Sequence, residues 1–141
     1  MPLRPDRDVA FFNALGRDHL PELLGVVITD LTEGYIRAEL PLRKALFAPN
    51  GYLHAGTVVA FADTAAGYAC YAHLPPESNN FTTLELKTNL MGTAREGSLV
   101  CESRGVHLGR TTQVWDATVS TAEGKQPIAL FRCTQMILYP K

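Results

Sequence analysis

The chain has 141 residues, 46% of them hydrophobic and 19% charged, and a formal net charge of −1. That length suits one domain, 1–141, with enough buried surface to fold without a disulfide or a metal. So even a balance provides no field for gripping nucleic acid or an anionic membrane, and an anionic ligand would have to be held by a few local cations.

The spacing of Val9, Phe12 and Leu15 predicts a short amphipathic helix over about 5–20. Gly25 to Leu31 and Tyr35 to Leu40 read as strands joined by the hairpin signal Thr32-Glu33-Gly34. Pro41 to Gly51 is a loop ending in the turn cluster Pro49-Asn50-Gly51. From Ala55 small and aliphatic residues run on all sides, as in a helix buried all round, until His73, Pro75 and Pro76 end it. Its length approaches that of a membrane span, but a central carboxylate and the Gly and Ala content favour burial in protein. Four long strands follow: Phe81–Met91, Ser98–Leu108, Arg110–Thr121 and Gln126–Tyr139, split by Gly92, Gly97, Gly109 and Gly124. One helix too apolar for a wet face, beside six antiparallel strands, predicts an α+β fold whose sheet curls around that helix.

Cys70, Cys101 and Cys133 are widely spaced and form no CxxC pair. They read as buried small hydrophobes of a reducing compartment, with no metal site among them. No apolar stretch follows Arg4 and Arg7, so no signal peptide is expected and the location is read as cytoplasmic.

Asp63 is the one carboxylate inside the apolar helical run. An ionised carboxylate is costly to bury, so Asp63 either bonds to backbone at a wet groove or subunit interface, or stands at a cleft as base or nucleophile. The segment Asn50-Gly51-Tyr52-Leu53-His54-Ala55-Gly56 leads into the helix. Free N–H groups at a helix start favour negative charge, so this turn could stabilise an oxyanion; equally, Gly51 and Gly56 could serve a tight turn alone.

His54-Ala55-Gly56, Ala62-Asp63-Thr64-Ala65 and Gly67-Tyr68-Ala69-Cys70, with Ile128-Ala129-Leu130-Phe131-Arg132 near the end, resemble the hotdog-fold thioesterases of the phenylacetic-acid-degradation (PaaI-type) group. The resemblance runs from about Pro21 to Tyr139. It implies a long helix wrapped by an antiparallel sheet, and hydrolysis of an acyl-CoA without a cofactor. It further implies homodimers or homotetramers with active sites at the dimer interface. Asp63 would activate water or attack the carbonyl, the Ala55 N–H would polarise it, and the Thr83 hydroxyl would place water or the intermediate. Asp63 and Thr83 would come from different subunits. Two positions depart from the pattern: Ala55 replaces the first glycine of the usual HGG turn, and Ala48 stands where an Asn or Gln is common. Asn50 could replace that amide if the loop is shaped differently.

For the nucleotide end of CoA the best candidate is the turn Val106 to Thr112, where Gly109 exposes backbone, Arg110 offers a guanidinium fork and Thr111 a hydroxyl. Arg95 and Lys87 are weaker candidates. Phe61, Tyr68, Tyr71 and Phe81 could wall the acyl group or simply be core. The Thr-rich strand Phe81–Met91 makes a poor free edge and a good interface. Two other functions fit the same fold: a hydratase or dehydratase, which needs a histidine working with the carboxylate, and a non-catalytic acyl-CoA-binding module, which does not need Asp63.

Overall fold

The computed structural model describes residues 1–141 and contains three α-helices, α1 (Val9–Leu15), α2 (Leu20–Leu24) and α3 (Ala55–Ala72), and a 3-10 turn, Lys44–Leu46. Six strands accompany them: β1 (Val27–Thr32), β2 (Tyr35–Pro41), β3 (Asn80–Leu90), β4 (Ser98–Leu108), β5 (Thr112–Thr121) and β6 (Pro127–Leu138). They form one antiparallel sheet in the order β1-β2-β4-β5-β6-β3.

α3 packs against every strand from β2 to β6. Its 18 residues span about 27 Å. Ala62, Ala65, Ala66 and Ala69 are fully buried, and their short side chains let the sheet backbone close in. Alternation along β5 sends Gln113, Trp115, Ala117 and Val119 inward to the helix. On β6 it does the same for Phe131, Cys133, Gln135 and Ile137. All three cysteines are free and buried in this layer. The expected α+β architecture, with one central helix in the curl of a six-stranded sheet, is what forms. No helix is long and apolar enough to cross a membrane.

The opening segment differs from the single helix expected over 5–20. α1 is capped by the Asp8 carboxylate, which accepts from Phe11 N, and it stops at Gly16. Asp18 then takes a left-handed φ of 63°, which no helix can carry through, and α2 starts afresh. Gly25 caps α2 at φ 93°, so β1 begins at Val27 rather than at Gly25. Arg110 and Thr111 fall in the β4–β5 turn, and β5 starts at Thr112.

The two edges of the sheet are finished differently. β1 is met by α1 at Ile28, its one buried residue, where the Asn13 amide donates to Ile28 O (2.9 Å) and accepts from Ile28 N (2.8 Å). β3 has no neighbour on its far side, and every one of its residues except Phe81 and Thr88 is exposed. A bulge at Leu84 shifts its register with β6 between Thr83 and Glu85.

The C-terminal end of α3 is closed by hydrogen bonds. Arg4 N donates to Ala72 O and the Arg7 guanidinium to Tyr71 O, with its Cζ 3.7 Å from the centre of the Tyr71 ring. His73 is fully buried. Its Nδ1 donates to Ala69 O (2.7 Å), and its Nε2 accepts from Gly34 N in the β1–β2 turn (2.9 Å). Gln113 Nε2 donates to His73 O, and Gln113 Oε1 accepts from Trp115 Nε1, both at 2.9 Å.

Candidate functional site

The loop before α3 is built from its own backbone. Phe47 and Leu53 bridge, Ala48 N donates to Tyr52 O, and Gly51 turns the chain at φ 87°. Leu46 O accepts from both His54 N and the Thr57 hydroxyl, pinning the loop to the first turn of the helix. His54 is the N-cap: its Nδ1 accepts from Gly56 N at 2.8 Å, so the neutral ring carries its proton on Nε2. A Cβ on Gly56 would stand 2.9 Å from that Nδ1, so the cap requires glycine there. Ala55 is exposed and its methyl is tolerated. The departure from the HGG pattern thus falls on the position that can bear a side chain.

With Gly56 N–H held by His54, the Ala55 N–H is left without a partner in the chain. It lies at the helix start, where the dipole favours developing negative charge.

Asp63 lies two turns further along α3 and is partly buried. Its Oδ1 is buried with no hydrogen-bond partner. Burial holds its pKa above the ordinary 3.8, with no neighbouring cation to offset it. A carboxylate in this setting is a stronger base than a solvated one. Cys133 is close by: burial first, and then the Asp63 charge, push its thiol up to about 12. Gln135 Nε2 donates to Cys133 Sγ (3.3 Å), and Gln135 Oε1 accepts from the Thr83 hydroxyl (2.8 Å). Thr83 is therefore tied through two buried side chains to the neighbourhood of Asp63 in its own chain, whereas the resemblance has these two residues come from different subunits. Gln135 was not among the residues expected at the site; its period-2 position marked it as inward-facing, and a buried amide there was the available signal.

The other expected residues divide. The Phe81 ring packs over Gly67, one turn beyond Asp63, and Tyr71, a further turn along the helix, lies 6.2 Å from that ring. Phe61 and Tyr68 lie about 140–160° around the helix from Asp63. Phe61 is fully buried in the core and Tyr68 packs on Phe12 at 4.9 Å. Asn50 spends its Oδ1 on Tyr52 N (3.2 Å), which leaves its Nδ2 free to reach outward. Gly109 donates to Thr112 O in a turn too tight for a Cβ, which would meet that oxygen at 2.8 Å. Arg110 and Thr111 are exposed on this turn; the Arg110 carbonyl is held by the Tyr139 hydroxyl while its guanidinium makes no ion pair. Arg95 sits over the Tyr52 ring beside a cavity of about 660 Å³ that also touches Lys44, Phe47, Ala48 and Gly51. Lys87 lies on the exposed β3 edge.

Residues 50–128 match the family model described as the thioesterase superfamily. The chain is 29% identical over 135 residues to PA1618 of Pseudomonas aeruginosa, covering 96% of this chain and 92% of that one. It is 29% identical over 115 residues to the 1,4-dihydroxy-2-naphthoyl-CoA hydrolase of Listeria monocytogenes (82% and 92% covered). It is 28% identical over 126 residues to the proofreading thioesterase EntH of Klebsiella pneumoniae (89% and 91%). A glutamine-to-alanine variant of thioesterase PA1618 superposes with a TM-score of 0.90 at 28% identity, over 98% and 99% of the chains. A Staphylococcus aureus protein, SAV0944, was solved as a glutamate-to-alanine and as a glutamine-to-alanine variant. The two superpose with TM-scores of 0.80 and 0.79 at 26% and 25% identity, each over 84% of this chain and 98% and 97% of theirs. The PaaI protein of Escherichia coli, at 21% identity and a TM-score of 0.78 over 88% and 87% of the chains, shares the fold.

Proposed function

For a chain that belongs to the thioesterase superfamily and is a thioester hydrolase of the hotdog fold, we propose hydrolysis of an acyl-CoA to the free acid and CoA, with Asp63 as general base or nucleophile. The observation that carries this reading is the buried, unpartnered Oδ1 of Asp63 in a helix whose far end has its polar groups paired. The substituted glutamine and glutamate of the Staphylococcus aureus protein are fifteen positions apart, the same separation as Ala48 and Asp63. That agreement supports Asp63 as the reactive carboxylate and Ala48 as a lost amide.

The Ala55 N–H polarises the thioester carbonyl and holds the oxyanion, a donor worth roughly 3 kcal/mol. As general base, Asp63 takes a proton from water placed by Thr83; the water oxygen adds to the carbonyl carbon. Collapse of the tetrahedral oxyanion breaks the C–S bond, and the CoA thiolate recovers the proton. As nucleophile, Asp63 adds to the carbonyl carbon and the C–S bond breaks, releasing CoA thiolate; water then opens the mixed anhydride to the free acid and Asp63, and its proton goes to the thiolate. Ala55 and Asp63 of one chain are eight residues apart, about 12 Å along the helix. That exceeds the reach of a single thioester carbonyl, so one site combines Ala55 of one subunit with Asp63 of another. The open β3 edge is the seam, which puts the Thr83 hydroxyl at the junction. The Gly109-Arg110-Thr111 turn takes a phosphate of CoA, and Phe81 and Tyr71 face the acyl group. Such a pair is a homodimer at least, and a tetramer where two pairs stack. Finding only monomer by sedimentation at micromolar concentration would overturn the composite site.

A hydratase would need a histidine facing the carboxylate. Of the four histidines, His54 is bound to Gly56, His73 is sealed at the other end of α3, and His19 and His107 are on the surface. The test is a panel of acyl-CoAs incubated with pure protein and a thiol reagent. Release of CoA supports the proposal. Binding without release would make the chain a sensor, and a change in enoyl absorbance with the thioester intact would make it a hydratase.

A further inference from the structure

Two glutamines lie fully buried on the inner face of the sheet, Gln113 and Gln135, as register partners on β5 and β6. Their surroundings differ. Gln113 is spent on structure, holding the His73 carbonyl and the Trp115 indole. Gln135 touches no backbone group: its two hydrogen bonds go to the Thr83 hydroxyl and to the Cys133 sulfur, a weak acceptor. An apolar residue of the same length would suit that layer as well, since a buried amide half-satisfied by sulfur contributes little to folding. What the amide does achieve is orientation. A threonine hydroxyl has one proton and two lone pairs, and here the proton is engaged by Gln135 Oε1 at 2.8 Å.

We infer that Gln135 is a positioning residue for hydrolysis, one that takes the Thr83 proton and thereby turns the hydroxyl lone pairs to the cleft as an acceptor for the attacking water. The inference rests on the proposed reading of Thr83. The water then gives one hydrogen bond to Asp63 and the other to Thr83, which points its own lone pair at the carbonyl carbon. The Nε2 bond to Cys133 fixes the amide plane, so the acceptor end faces Thr83.

The test is a double-substitution cycle read as kcat and KM on one acyl-CoA. Gln135→Met should lower kcat about tenfold, a usual cost of misplacing a reactant, with KM within about twofold and the thermal midpoint unchanged or higher. In a Thr83→Val background the same change should cost less than about twofold, because the hydroxyl it orients is gone. Equal losses in both backgrounds would make Gln135 structural and overturn the inference, as would an unchanged kcat in Gln135→Met alone. An unchanged kcat in Thr83→Val would overturn it together with the reading of Thr83, whereas a loss there without one in Gln135→Met overturns the inference alone. A second measurement leaves Gln135 in place. With nitrogen-15 in the three glutamines, Thr83→Val should shift one buried side-chain amide pair, and Thr83→Ser should restore that pair and about half of kcat. An unmoved pair would overturn the inference.

Discussion

The two ends of α3 are finished in opposite ways. At the C-terminal end five successive polar groups find partners: the carbonyls of Ala69, Cys70, Tyr71, Ala72 and His73 all accept hydrogen bonds. At the other end the Ala55 N–H is free, and two turns in, at mid-helix, Asp63 Oδ1 is buried without a partner. One helix thus holds a closed terminus that stabilises and an open one that does not. Buried side-chain atoms without a partner are few: besides Asp63 Oδ1 they are Arg4 Nη1, Arg7 Nε and Thr88 Oγ1, and Asp63 is the one carboxylate among them.

If that division is right, the largest effect comes from Asp63→Asn. The kcat should fall by roughly 10²–10⁴-fold, the range for a positioned acid–base group. The thermal midpoint at neutral pH should hold or rise. The sign follows from burial: a carboxyl whose folded pKa is raised stabilises the fold below its ordinary 3.8 and loses that contribution as pH climbs through the raised value. The ionised form at neutral pH is therefore a burden that Asn removes. For the same reason the rising limb of kcat/KM should lie above pH 3.8 in the wild type. A mutant that melts much earlier yet keeps most of its activity would refute the catalytic role.

Ala55→Pro tests the free N–H directly. Proline is at home in the first turn of a helix, and His54, at φ −65° and ψ 130°, already has the extended backbone that a residue before proline needs. The change deletes one N–H and leaves the helix, so kcat should drop about 10²–10³-fold with the far-ultraviolet spectrum and midpoint preserved. Retained kcat would mean that the carbonyl is polarised elsewhere.

The closed end should respond in the reverse manner. His73→Leu removes the bonds to Ala69 O and Gly34 N, and should cost about 1–3 kcal/mol of stability with little loss of kcat per folded molecule. Burial lowers the His73 pKa from 6.5. A lowered folded pKa means stability present above 6.5 that is lost as pH falls towards the folded value. Denaturant midpoints measured between about pH 7 and pH 5 should decline in the wild type and flatten in His73→Leu. A slope that survives the substitution would place the titrating group elsewhere.

The smallest expected effect lies away from the helix. Arg110→Ala should raise KM for acyl-CoA several-fold, within the range of one exposed charge-assisted contact, and spare a short pantetheine thioester. Equal losses on both substrates would make Arg110 structural or remote.

Much of this was visible in the residues alone. α3 could be bounded to the residue because a long apolar run meets His73 and two prolines, and Asp63 stood out because a charge in that run has no cheap explanation. Glycines marked the strand breaks. The split of the first helix was not visible: apolar spacing continues across Gly16, and nothing in the spacing reports the left-handed backbone at Asp18. The order of strands was not visible either, since β3 joins β6 over a long separation, 52 residues from Thr83 to Gln135, and such pairing is decided by packing, not by neighbours. Alternation put Gln135 inside, but its meeting with Thr83 depends on that distant pairing and on a bulge at Leu84. The separation of Phe61 and Tyr68 from Asp63 follows from helical phase, and aromatic character alone had masked it.

Asn13 bears on how this protein grows. A strand edge is a template, and a sheet with two bare edges can add copies on both sides without limit. By mimicking a neighbouring strand, a single side chain occupies the edge of β1 at Ile28. On the pairing proposed through β3, the margin that Asn13 leaves bare is used once, when two copies meet. Asn13→Ala would reopen the second margin. Its expected consequence is higher-order material that scatters light on standing, at protein concentrations where the wild type stays clear.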